Sequence, residues 1–377
     1  MDDSDHGTPT WGSRVILIGA TPGAGRTTFA LTVARRALDA GRVDRVVIVA
    51  PTDHLRTQWA DAAGKFGLHL DPTLANSHQG IRRGTAGYVT TYAQVGSAPT
   101  RHAARVRAGR TLVVLDEIHH AGDGQTWGEG TRVAFEAATR RLSLSGTPFR
   151  TGTEQIPFVT YDTDEDGGLV SRADYSYSYR QALADQVVRP VVFAAYTGTA
   201  LWRNSAGDVL TGDLSEGPKR TELQVWRHLL NPNGQWVPHV IAAVDQRITD
   251  LRAAGVSNAG GLLLASDRSD ARAYARIVED ITGQPPVVAL SDDPASSDKI
   301  AAFRDSDDRI IVAVRQVSEG VDIARLAVCG WLCSYRTPLF FAQAVGRVVR
   351  ARGRHESATV FLPGVRPTAC VGCGVGG

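Results

Sequence analysis

The segment Ala20-Thr-Pro-Gly-Ala-Gly-Arg-Thr-Thr28 follows an apolar run, Val15–Gly19, and opens a helical pattern. A strand that turns through a glycine-rich loop straight into a helix belongs to a parallel sheet covered by helices. Gly23 and Gly25 allow the tight backbone that such a turn needs. Its N–H groups can wrap a phosphate, and the helix N-terminus adds the positive end of a dipole. The strand before and the helix after favour this phosphate loop over an ordinary Gly-rich turn. Thr21, Pro22, Gly23, Ala24, Gly25, Arg26, Thr27 and Thr28 are therefore the candidate nucleotide-binding residues, with the Thr27 hydroxyl suited to Mg²⁺. One position departs from the pattern. Arg26 stands where such loops carry lysine, and a planar guanidinium is not equivalent to a compact ammonium.

The first half continues in the same style. Arg45–Ala50, Gly87–Thr91, Thr111–Asp116 and Leu142–Ser145 read as strands, with helices over Thr27–Ala40 and near His54–Phe66. The second half repeats it: Gly261–Ala265, Arg309–Val314, Val328–Leu332 and Ala358–Leu362 as strands, Ser269–Thr282 and Pro338–Arg350 as helices. Between them, Arg189–Tyr196 reads as a strand leading out of the first half, Leu201–Leu214 as a polar hairpin turning at Ser205–Gly207, and Val237–Ala254 as an amphipathic helix. The expected organisation is an α/β chain with domains at 1–195 and 196–365 and a disordered tail at 366–377.

Leu112-Val-Val-Leu-Asp-Glu-Ile-His-His120 is an apolar strand ending in two carboxylates. Asp116 at the strand tip suits a Mg²⁺ ion, and Glu117 suits the orientation and deprotonation of an attacking water. His119 can sense the phosphate or couple the site onward. Further along, Gln343-Ala-Val-Gly-Arg-Val-Val-Arg350 places Arg347 and Arg350 three apart, with Gln343 four residues before Arg347. On one helix face, two guanidinium groups can neutralise phosphate charge; a solvated basic face is the plain alternative.

Together these motifs resemble the DExH-type superfamily 2 helicases, most closely the XPB and type III restriction-subunit (ResIII) branch. Asp116–His119 resembles motif II and Ser145-Gly-Thr-Pro148 motif III, while Ala50-Pro-Thr52 resembles motif Ia and Thr90-Thr-Tyr92 motif Ib. In the second half, Leu262–Asp267 resembles motif IV, Ser318–Asp322 motif V and Gln343–Arg350 motif VI. The resemblance implies two tandem RecA-like domains with parallel sheets and nucleotide in the interdomain cleft. It implies ATP and Mg²⁺ as ligands and an ATP hydrolase that moves on nucleic acid. Carried over residue by residue, it makes Asp116, Glu117, Gln343, Arg347 and Arg350 catalytic, and adds Gly320 and Asp322 to the nucleotide contacts. Thr27 and Asp116 hold Mg²⁺. Pro51, Thr52, Thr90, Thr91, Ser266 and Ser318 touch nucleic acid, and His119, Ser145 and Thr147 couple hydrolysis to movement. DNA is the expected partner, single- or double-stranded. Arg26 keeps a second reading open, an ATP-binding but hydrolysis-deficient clamp or scaffold, and an RNA helicase is a third.

Composition is ordinary: 43% apolar, 21% charged and a net charge of +2, so charge alone points weakly to nucleic acid. Lysine occurs only at Lys65, Lys219 and Lys299, an arginine bias read here as that of GC-rich coding. Four cysteines argue against a disulfide scaffold, and Cys370 with Cys373 lacks the second pair that a zinc site needs. The apolar runs are too short to span a bilayer, and the acidic, polar start resembles no targeting peptide, so a cytoplasmic chain without membrane partners is expected. The end soon after motif VI leaves room for a protein partner or a further C-terminal domain.

Overall fold

The computed structural model describes residues 14–122, 125–146, 150–151, 155–163, 167–196, 199–203, 209–213, 226, 229–290, 293, 295–314, 323–335, 337–353 and 356–363. The chain divides into two compact units, Met1–Ser178 and Tyr179–Gly377. Each is built on a parallel sheet.

In the first unit, β1 (Val15–Ala20), α1 (Arg26–Asp39), β2 (Arg45–Ala50), α2 (Asp53–Gly64), β3 (Leu70–Asp71) and β4 (Gly87–Thr91) come first. α3 (Tyr92–Ser97), α4 (Pro99–Arg107), β5 (Thr111–Leu115), α5 (Gln125–Phe135) and β6 (Arg140–Ser145) follow, with a 3-10 turn at Ile118–Gly122. β7 (Arg150–Thr151), β8 (Thr160–Thr163) and β9 (Leu169–Arg172) form a small antiparallel sheet, and β10 (Tyr175–Tyr177) returns to the main one. The main order is β10-β1-β6-β5-β2-β4-β3. β2 shows why its strands read as unbroken apolar runs. Val46 and Ile48 face a core built with Ala30, Leu31 and Trp59, while Val47 and Val49 face another built with Tyr92, Val106 and Phe135. A strand covered on both faces has no polar side to alternate with.

In the second unit, α6 (Tyr179–Ala184) leads to β11 (Val191–Tyr196) and a hairpin of β12 (Thr199–Arg203) and β13 (Val209–Asp213). α7 (Trp236–Ala253), β14 (Gly260–Ala265), α8 (Arg268–Thr282), β15 (Val287–Ala289), α9 (Ser296–Asp305) and β16 (Ile310–Val314) come next. β17 (Leu326–Leu332), α10 (Pro338–Val345) and β18 (Ala358–Pro363) complete it, in the sheet order β11-β18-β17-β14-β16-β15. Among the described residues no helix is long and apolar enough to cross a membrane.

Two expectations need comment. The hairpin is present, though its expected turn at Ser205–Gly207 lies outside the described residues, as does the tail at 366–377. The strand at Val191–Tyr196 does not lead out of the first unit. It pairs in parallel with β18, from Val191 opposite Ala358 to Tyr196 opposite Pro363. The units therefore divide at Ser178/Tyr179 rather than near residue 195. Local alternation marks a strand but not its partner, which here lies in a segment far along the chain.

Gly87 fixes the pairing of β4 with β2. Its φ is +153°, and a Cβ there would lie 1.7 Å from the carbonyl oxygen of Val46. Gly87→Ala is expected to destabilise the fold by about 3 kcal/mol, because backbone rather than a movable side chain blocks the site. Chemical denaturation of the parent and the variant measures this.

Candidate nucleotide site

Beyond β1 the chain turns at Thr21, whose N–H donates to the Tyr177 carbonyl at 3.0 Å. Gly23 and Gly25 both take left-handed backbone, with φ of +83° and +84°. α1 starts directly after Gly25 without a side-chain cap, so its first N–H groups stay available to an anion. Thr27 and Thr28 are exposed on its first turn.

The carboxylates sit opposite. Asp116 leaves the end of β5, its N–H donating to the Val49 carbonyl at 2.9 Å. Glu117 is one of few non-glycine residues in left-handed backbone, at φ +46°. Such a conformation persists only where surrounding bonds hold it. Here the Arg26 guanidinium meets Glu117 Oε1 at 2.6 Å, the Gly146 N–H donates to Oε2 at 3.2 Å, and the Glu117 carbonyl accepts from His120 N–H at 2.9 Å. His119 Nδ1 lies 3.6 Å from Oε2, and Ser145 is buried at the end of β6 beside Gly146. The phosphate loop, motif II and the start of motif III thus converge on one carboxylate.

Burial pushes both acids toward the neutral form. For Glu117, the positive charge of Arg26, helped by the neighbouring histidines and by the Arg26 hydrogen bond, wins and holds its pKa below the usual carboxylate range. Asp116 goes the other way. Burial and the adjacent Glu117 charge raise its pKa, against the weaker pull of Arg26, a hydrogen bond from Trp59 and His120.

The residues suit a Mg²⁺–nucleotide. The loop offers backbone donors, Thr27 an exposed hydroxyl and Asp116 a half-buried carboxylate. Arg26 Nη1 is a buried donor without a hydrogen-bond partner, as a group awaiting phosphate oxygen would be.

Sequence reading missed what holds Asp116. Trp59 Nε1 donates to Asp116 Oδ2 at 2.8 Å, and the Tyr92 hydroxyl donates to the Asp116 carbonyl at 2.9 Å. Trp59 lies four residues after Leu55 on a buried helix face and reads from sequence simply as core. Of the expected nucleic-acid contacts, Thr52 is exposed and caps α2, its hydroxyl oxygen accepting from the Leu55 N–H at 3.5 Å, with Pro51 half-buried beside it. Thr90 and Thr91 are buried at 0% and 4% exposure. Their hydroxyls serve Gln94, Thr90 by donating to Oε1 at 2.8 Å and Thr91 by accepting from its N–H at 3.3 Å. They are internal braces in this structure.

In the second unit, Ser266 Oγ accepts from the Ser334 N–H at 3.1 Å. Ser318, Gly320 and Asp322, like Thr147 in the first unit, lie outside the described residues. Motif VI differs from expectation. α10 ends at Val345, so Gln343 is helical but Arg347 lies in a turn and Arg350 bridges to Val188. The arginines do not share a helix face. Gly346 weakens the helix, and Arg189 captures its outgoing chain, with Nε donating to the Val348 carbonyl and the main-chain N–H to the Val349 carbonyl, each at 2.7 Å.

Residues 11–150 match the model of the family described as type III restriction enzyme, res subunit. The pattern resembles that of superfamily 2 helicases of the ResIII/XPB-like kind, through the family model over residues 11–150 and through a relative named for XPB. An uncharacterized protein of Mycobacterium tuberculosis (strain ATCC 25618 / H37Rv) is 52% identical over 354 residues, 93% of this chain and 58% of that protein. The chain thus spans little more than half the length of that relative. The DNA 3'-5' translocase XPB2 of Sulfurisphaera tokodaii is 25% identical over 356 residues, 90% of this chain and 75% of that protein. Among solved structures, S. cerevisiae Dbp5 bound to RNA and ADP BeF3 superposes with a TM-score of 0.61 at 12% identity, covering 97% of this chain and 84% of that one. The ATP-dependent type ISP restriction-modification enzyme LlaBIII bound to DNA gives 0.57 at 15% identity, covering 93% of this chain and 26% of that one. At such identities these two show the fold alone.

The raised pKa of Asp116 has a stability consequence. A carboxyl that binds its proton more tightly folded than unfolded costs stability at any pH above both values. The cost declines as pH falls below the raised value, about 6, and is gone below the ordinary carboxylate range. Asp116→Asn is therefore expected to stabilise the nucleotide-free protein at pH 8 by on the order of 2 kcal/mol, with the gain absent near pH 3. Denaturant titrations at the two pH values check both sign and window.

Proposed function

We propose that the chain is an ATP-dependent DNA translocase of superfamily 2, coupling ATP binding and hydrolysis to movement on DNA. The observation that carries this is the meeting of Arg26 and the Gly146 N–H at one half-buried carboxylate, that of Glu117. Such a junction can hold a terminal phosphate and activate a water beside it. Glu117, kept ionised well below neutral pH, is the base. Asp116 and Thr27 hold Mg²⁺, which would neutralise phosphate charge. Arg26 and the loop N–H groups bind the phosphates. DNA as substrate is supported by the likeness to a protein named as a DNA translocase.

A second reading rests on the same pair. Arg26 already engages Glu117, so a chain that binds ATP but cannot free its base would be a nucleic-acid clamp. The motor reading is favoured because the pair is exchangeable: phosphate oxygens offer Arg26 an equivalent anion, with Nη1 still unpartnered.

DNA-stimulated ATP turnover is expected in this chain, rising about tenfold in Arg26→Lys, whose point charge holds the base less firmly. Glu117→Gln should abolish it. Turnover confined to the lysine variant would establish the clamp instead, and none in either would overturn both the base assignment and the motor.

Phosphate contacts dominate motors that read no sequence, so DNA affinity should fall steeply between about 50 and 200 mM salt. A flat affinity, measured by anisotropy of a labelled duplex, would contradict this.

A further inference from the structure

Asp116 is held from three sides within the first unit. β2 accepts its N–H, α3 donates to its carbonyl through Tyr92, and α2 donates to one carboxylate oxygen through Trp59. The two side-chain donors come from the helices that begin at the motif Ia and Ib threonines, since Thr52 is the N-cap of α2 and Thr91 that of α3. Neither contact is needed to complete a helix or a sheet. A buried indole N–H requires some acceptor, yet here it takes a carboxylate, an arrangement that fixes the carboxylate rotamer.

Resting on the reading of Asp116 as a Mg²⁺ residue, we propose that Trp59 and Tyr92 are positioning residues that set the Asp116 carboxylate for the metal and transmit displacements of α2 and α3 to it. Trp59 occupies Oδ2 and leaves the other oxygen for the ion or its water. Outer partners of this kind typically change metal affinity by about 10–100-fold when removed. A nucleic-acid strand pressing on the exposed Thr52 end of α2 would move the helix that carries Trp59, so DNA and Mg²⁺ should influence one another's binding.

The test is a Mg²⁺ titration of the binding of a fluorescent, non-hydrolysable ATP analogue, with and without a DNA duplex. It compares the parent with Trp59→Phe, Tyr92→Phe and Asp116→Asn, with thermal melts as controls. Trp59→Phe should raise the Mg²⁺ midpoint about tenfold and Tyr92→Phe about threefold, leaving the weak binding in excess EDTA unchanged. Duplex DNA should lower the parent's midpoint but not that of Trp59→Phe. Parental midpoints in both variants, with Asp116→Asn shifted, would overturn the positioning role and leave the nucleotide site standing. An unshifted Asp116→Asn would overturn the Mg²⁺ reading and the inference with it. A DNA shift that is absent in the parent or retained in Trp59→Phe would overturn the relay. Should Trp59→Phe fail to fold, Tyr92→Phe, which loses only a hydroxyl, decides the outcome in the same way.

Discussion

Two adjacent half-buried carboxylates at the end of β5 set the terms for everything around them. Like charges on neighbouring residues cannot both be ionised in an apolar setting without strong compensation. Glu117 receives it from Arg26 and from the Gly146 N–H. Asp116 receives a hydrogen bond from Trp59 but no salt bridge among the described residues, and burial with the adjacent Glu117 charge moves its pKa up. Loop, strand end and first core helix are thus arranged around one electrostatic problem, which a bound cation would resolve on the Asp116 side.

Arginine does more in this fold than a coding bias requires. Arg141, Arg189 and Arg325 are almost wholly buried, and each donates to carbonyls beside a helix C-terminus. Arg141 reaches Phe135 and Glu136 after α5, Arg325 reaches Phe303 in α9, and Arg189 reaches Val348 past α10. Helix ends leave carbonyls unpaired, and a guanidinium has enough donors to satisfy several while remaining buried. An ammonium on a flexible stem is a poor substitute, so these positions select arginine physically, whatever the codon usage.

Much of this was legible in the sequence, and what was not has a common cause. The strand–loop–helix at Val15–Asp39 and the strand ending in Asp116 follow from local pattern, and the structure places them as read. Three features escaped. The pairing of Val191–Tyr196 with β18 depends on a strand far along the chain. The end of α10 depends on Arg189 seizing carbonyls that a helical pattern assigns to the helix. Trp59 carries an apolar period on α2, and nothing in that period says its one polar atom meets a carboxylate on another element. Motif letters identify which residues gather, whereas donor and acceptor assignments arise only from packing. Thr90 and Thr91 illustrate the limit, since their motif position predicts contact with nucleic acid and their burial assigns them to Gln94.

The Arg26–Glu117 pair finally shows why a substitution in a phosphate loop need not abolish its use. A sheltered ion pair gains little net stability, because desolvation offsets most of the attraction. What is costly is leaving either partner alone. A phosphate arriving at Arg26 does not leave it alone, for it replaces one oxyanion with another and adds an acceptor for Nη1. Glu117 would be released at the same moment, with the Gly146 N–H and His119 still beside it. Under the proposed function the exchange would be close to neutral for the protein and would free Glu117 only when nucleotide binds. On that reading, an arginine that holds Glu117 and cedes it to phosphate would tie hydrolysis to nucleotide binding, which a solvated lysine on a mobile stem would do less strictly.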